Sequence, residues 1–234
     1  MALTGRIALI AGASRGIGRA IAEGLAEEGA RVHAWARNPA PVEPLARSTG
    51  GRSRVVDLAD DEAVWQAADE LVEAEGPPSI VVACAGAFTL APLAETSVQD
   101  FDRLITVNLR GTFLLYRALL PPMLQAGRGD LVTIGSAAGR SAFPANGAYA
   151  ASKYGQRGLH EVLAEELRGS EVRCTLVEPA ATDTPLWDPL DPDTRPDLPA
   201  RAEMLHPEDV AEAVLFSVTR PAHVRIPLLQ IEPG

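Results

Sequence analysis

The sequence predicts an α/β fold: a doubly wound parallel sheet of about seven strands with helices on both faces. Three observations carry that expectation. Strand-patterned and helix-patterned segments alternate along the chain. The strand segments are apolar runs rather than strict alternations, as strands buried on both faces require. A glycine-rich turn, Gly12-Ala-Ser-Arg-Gly16-Ile-Gly18, joins the first strand to the first helix.

Residues 6–11 form the first strand, with Ile7, Leu9 and Ile10 apolar. Residues 16–28 follow as a helix, with Ile17, Ile21 and Leu25 at helical spacing. Residues 31–36 are the second strand, and the Pro-rich connection 38–44 allows only a short helix after it. Residues 53–58 make the third strand. Asp60 caps a helix to about residue 75, which Gly76-Pro77-Pro78 ends. The fourth strand, 79–84, is apolar enough to be central. Ser97 caps a long helix through Phe101, Leu104 and Val107, and its part at 112–120 is apolar nearly all round, hence buried. A fifth strand at 130–135, a long helix at 149–167 and a sixth strand at 171–178 follow. Prolines and aspartates make 185–199 a loop. His206-Pro207 opens a helix to Val218, and 228–231 suits a last edge strand. No repeat or linker divides residues 1–234, so one domain is expected.

At 47% apolar residues, the chain can bury a core. No apolar run is long enough to span a membrane, and the N-terminus has no secretory pattern. A net charge of −10 argues against nucleic acid and anionic membranes as partners. Cys84 and Cys174 fall in strand segments and suggest neither a disulfide framework nor a metal site, which fits a cytoplasmic protein.

The chain has a single lysine, Lys153; every other cationic side chain is arginine. Lys153 stands four residues after Tyr149, so the two share a helix face. A compact ammonium beside a phenol eases its deprotonation, which guanidinium geometry does not serve. The alternative is a solvated lysine near an ordinary tyrosine. In the glycine turn, Gly12, Gly16 and Gly18 let backbone approach a phosphate, and the helix start offers free N–H groups to a pyrophosphate. Tight strand–helix packing without a ligand is the other reading. The second strand ends Trp35-Ala36-Arg37. NAD-binding folds usually place an acid here; a cation instead suits the 2′-phosphate of NADP, with Arg15 as a second cation. The alternative is an ordinary solvated arginine at position 37. Asp57 either accepts from an adenine amine or caps a turn.

Taken together, the glycine turn, Asn108, Ser136, Tyr149 and Lys153 resemble the short-chain dehydrogenase/reductase (SDR) family in order and approximate spacing, over nearly the whole chain. The resemblance implies a Rossmann-type oxidoreductase with Tyr149 as general acid/base. Lys153 would support that tyrosine and hold the nicotinamide ribose, and Ser136 would bond the substrate oxygen. Asn108 would hold a water linking Lys153 to solvent. It also implies cofactor contacts from Gly12, Ser14, Arg15, Gly16, Ile17, Gly18, Arg37, Asp57, Leu58, Ala85, Gly86, Tyr149, Lys153, Pro179, Thr182 and Thr184. Two family patterns are altered: Asn-Asn-Ala-Gly reads Ala83-Cys84-Ala85-Gly86, and Pro-Gly reads Pro179-Ala180. Cofactor binding is expected to survive, with apolar packing replacing a lost side-chain bond.

The substrate loop is expected at 186–205. There Trp187 can wall an apolar pocket, with Phe88, Ala142 and Phe143 nearby, while Arg195 and Arg201 either meet an acidic substrate or are solvated. The function expected is NADP(H)-dependent interconversion of a carbonyl and a secondary alcohol, with ketone reduction preferred. The alternatives are an NAD-dependent alcohol dehydrogenase and a nucleotide-sensing protein without turnover. A small-molecule substrate is expected, with no metal, and a homodimer or homotetramer by family analogy.

Overall fold

The computed structural model describes residues 1–234. Seven strands, all paired in parallel, form one sheet: β1 (Ile7–Ala11), β2 (Arg31–Ala36), β3 (Ser53–Val55), β4 (Ile80–Ala83), β5 (Gly129–Ile134), β6 (Val172–Pro179) and β7 (Leu228–Ile231). Their spatial order is β3-β2-β1-β4-β5-β6-β7. The chain winds outward through the first three strands, then returns to lay β4 on the other side of β1. A crevice opens beyond the carboxyl ends of β1 and β4, where the order reverses, and such crevices bind ligands.

Helices cover both faces. On one lie α1 (Gly16–Glu27) and α7 (Pro207–Val218). On the other lie α3 (Asp61–Glu75), α5 (Gly111–Gln125) and α6 (Gly147–Glu166). Short α2 (Glu43–Ser48) and α4 (Val98–Leu104) complete the set. The period-2 alternation of strands sorts the core into two layers. Ala8, Ile10, Ile80, Val82 and Val132 pack on Ile21 and Leu25 of α1 and Val210 and Val214 of α7. Leu9, Val81 and Leu131 pack on Val64 of α3, Leu115 and Leu119 of α5 and Leu163 of α6. Each fully buried Leu or Ile contributes about 1.5–3 kcal/mol relative to exposure.

The expected caps are present: Asp60 accepts from the Ala63 N–H at 3.1 Å, and Ser97 from Asp100 N–H at 3.0 Å. Two boundaries differ from expectation. β3 stops at Val55, because β2 ends at Ala36 and Asp57 then turns the chain, its carboxylate accepting from Ala59 N–H at 2.9 Å. The long helix expected from Ser97 is broken by a π-turn at Ile105–Arg110, between α4 and α5. Such turns displace the helical ladder, often at functional sites. At the far end of the sheet, Asp130 accepts from Arg6 (2.5 Å) and Arg173 (2.7 Å). Arg173 also bonds the carbonyls of Arg220, Pro221 and Val224, tying the tail that leads to β7. No helix is long and apolar enough to cross a membrane.

Candidate active site

At the carboxyl end of β1, the glycines answer a close approach. A Cβ on Gly12 would lie 2.5 Å from Ala85 N, and one on Gly18 would lie 2.2 Å from Gly12 O. Only glycine lets the turn press against the loop after β4 and against its own helix. Gly16 has φ +53°, and the Thr184 side chain from the loop after β6 lies against it. The N–H groups of Ser14, Arg15, Gly16, Ile17 and Gly18 have no acceptor in the chain, and Arg15 gives α1 no side-chain cap. Five backbone donors at the start of α1 are thus left without a partner in the chain. Arg15 and Arg37 stand beside the crevice, exposed and without ion pairs.

Asn108, fully buried in the π-turn, clamps the loop after β4. Its Oδ1 accepts from Ala87 N–H at 2.7 Å, and its Nδ2 donates to Ala87 O at 3.0 Å and Ser152 Oγ at 2.9 Å. This is a two-point polar hold on Ala87, while Ala83, Cys84 and Ala85 of the altered pattern pack against the apolar core. Ala85 and Gly86 sit between this clamp and the glycine turn. The Leu58 side chain is buried in the core and lies against Gly111. Asp57 remains exposed after forming its turn. Pro179 ends β6, and Thr182 donates to Ala180 O at 3.1 Å.

Tyr149 and Lys153 lie on the same face of α6, with the Lys153 ammonium 5.8 Å from the Tyr149 ring centroid. Ser136, after β5, caps a short 3-10 turn by accepting from Ala138 N–H at 3.1 Å. Its hydroxyl lies near enough to the phenol to pull the phenol's pKa down. Burial pushes the Tyr149 phenol up to about 12, against the pull of Ser136. The expected lowering by Lys153 therefore does not prevail among the protein's own groups. The reason is desolvation of the phenol, while Nζ directs one N–H to Ile134 O (3.0 Å) and another to Gln156 Oε1 (2.9 Å). Burial in turn lowers the Lys153 amine from 10.5 to about 8, and raises the neighbouring Cys84 thiol to about 12, so Cys84 is no thiolate.

Aromatic side chains wall the same space. Phe88 meets the Tyr149 ring edge-to-face at 4.7 Å, and Trp187 meets Phe88 at 5.1 Å. Arg201 pairs with Asp183 and Asp188, and Arg195 with Asp197. Ala142 and Phe143 are exposed.

The model of the short chain dehydrogenase family matches residues 6–195. The chain is a short-chain dehydrogenase. It is 38% identical over 223 residues to the D-threitol dehydrogenase of Mycolicibacterium smegmatis, covering 92% of this chain and 86% of that protein. It is 36% identical over 242 residues to the glycine betaine reductase ATRR of Emericella nidulans, covering 99% of this chain but only 19% of that far longer protein. Among solved structures, a metagenomic short-chain oxidoreductase in complex with NADP superposes with a TM-score of 0.84 at 33% identity, covering 100% of this chain and 99% of that one.

As a short-chain dehydrogenase the protein is an oxidoreductase of the alcohol–carbonyl couple and uses a nicotinamide cofactor. The residues at hand fit such a cofactor. The uncapped N–H groups of the glycine turn suit a diphosphate, and a side chain at Gly12 or Gly18 would close the turn that carries them. Sequence reasoning missed two parts of this short-chain dehydrogenase's site. Gln156 carried no motif signal. The aspartate partners of Arg201 were visible only as an acidic loop.

Proposed function

We propose that this short-chain dehydrogenase is an NADP(H)-dependent reductase of uncharged ketones carrying an apolar or aromatic substituent. The convergence of Ser136, Tyr149 and Lys153 beside the glycine turn carries the reading. A nicotinamide cofactor held at the glycine turn would supply the hydride for the carbonyl carbon. Ser136 donates a hydrogen bond to the carbonyl oxygen and favours its developing charge. Tyr149 gives that oxygen its phenolic proton, completing the alcohol. Burial keeps the phenol protonated at neutral pH, the state reduction needs. Lys153, still largely charged at pH 7, favours the phenolate left behind and is available to hold the ribose.

NADP is preferred over NAD because Arg37 and Arg15 are cations free of carboxylate partners where a 2′-phosphate would lie. A neutral substrate follows from the Phe88–Trp187 wall and from the pairing of Arg195 and Arg201 with aspartates. Self-association of the chain agrees with exposed Phe101, Phe113 and Val162 on α4, α5 and α6. The test is a panel of neutral ketones and keto acids followed at the NADPH absorbance. Turnover of aryl or alkyl ketones above keto acids is expected. Preference for keto acids would overturn the substrate class, and no turnover of any carbonyl would overturn the activity.

A further inference from the structure

Gln156 stands one helical turn beyond Lys153 on α6, and its side chain is buried at 1% exposure. Its Oε1 accepts from Lys153 Nζ at 2.9 Å. Its Nε2 donates to Asn108 O at 3.1 Å and to Thr112 Oγ1 at 2.8 Å. The Thr112 hydroxyl also donates to Asn108 O at 2.8 Å. The amide orientation is fixed by chemistry. An ammonium only donates, so the oxygen must face it; a carbonyl only accepts, so the nitrogen must face that. An amide fixed to the backbone of α6 thus spans Lys153 and the Asn108 carbonyl.

We propose that Gln156 is a positioning residue for the Tyr149–Lys153 pair, its amide seating the Lys153 ammonium and bridging it to the Asn108 carbonyl of the π-turn. This rests on the reading of Tyr149 and Lys153 given above. Two N–H groups of Nζ are held by Ile134 O and Gln156 Oε1, leaving the third for the crevice. The titratable groups facing Nζ are Tyr149 from its own helix and Cys84 from the loop after β4; β5 and the π-turn offer uncharged carbonyls. Because Oε1 bonds the charged form, it supports the ammonium against the burial that lowers it. An amide neither gains nor loses protons near neutrality. The link to Asn108 therefore holds Lys153 in place at any pH near neutrality.

The single lysine makes a direct test possible. Lysine labelled with carbon-13 at Cε gives one signal, whose shift follows the ionisation of Lys153 without any turnover. In Gln156→Met, of similar length but without the acceptor, the midpoint is expected to fall by about one pH unit, with kcat about tenfold lower and the ketone KM unchanged. In Gln156→Glu a carboxylate replaces the amide, and the midpoint is expected to rise. The two shifts have opposite sign, so either variant alone keeps the test if the other fails to fold. A lysine midpoint unmoved in a folded variant would overturn the seat. A moved midpoint in a protein that reduces no carbonyl would overturn the proposed function while leaving the seat standing.

Discussion

Replacing Lys153 by Met isolates the energy of burying one ammonium. Burial takes the amine from 10.5 to about 8, which corresponds to about 3 kcal/mol. Below pH 8 the folded and unfolded chains both hold the proton, and the folded state carries the full penalty. Between pH 8 and 10.5 the unfolded chain binds a proton that the folded chain has released, so stability rises with pH. Above 10.5 the contribution is level. The Met variant has no such group. The unfolding free energy of wild type minus Lys153→Met should therefore climb by about 3 kcal/mol between pH 7 and 11. The offset at pH 7 is a poorer guide, since the variant strands Ile134 O and Gln156 Oε1 at about 1–3 kcal/mol each. Urea unfolding of both proteins at several pH values, followed by tryptophan fluorescence, measures the difference. Parallel stability curves would refute the account of Lys153 as a desolvated amine.

Arg37→Ala should weaken NADPH binding about tenfold or more, the size of one charge-assisted hydrogen bond to phosphate, while NADH binding changes little. Calorimetric titration with each nucleotide decides it, and equal losses would make Arg37 a structural residue. Trp187→Ala should raise the KM for aryl ketones several-fold with NADPH affinity unchanged, because it removes one face of the aromatic wall without touching the glycine turn. Steady-state kinetics with aryl and small alkyl ketones check this; an unaltered KM would assign Trp187 to packing of its own loop.

What the sequence disclosed was local. The glycine turn, the Asp60 and Ser97 caps, Pro207 at the start of α7 and the Tyr149–Lys153 pair are each set by residues within one turn of each other. Their chemistry needs no knowledge of the rest of the chain. Gln156 was silent because its partner carbonyl at Asn108 lies 48 positions away, and only the packing of α6 on the π-turn joins them. The π-turn has no compositional mark either, since 105–110 keeps the apolar spacing of a helix. The sign of the Tyr149 shift depends on how deeply the phenol is buried, which periodicity on α6 cannot express.

The central claim is that Tyr149 hands its phenolic proton to a carbonyl oxygen while nicotinamide delivers hydride. The most direct test is a single turnover of NADPH with a neutral aryl ketone, comparing wild type with Tyr149→Phe. The account predicts that the variant binds NADPH as wild type does and reduces the ketone about 10²- to 10⁴-fold more slowly. Tyr149→Phe turning over at the wild-type rate would contradict it.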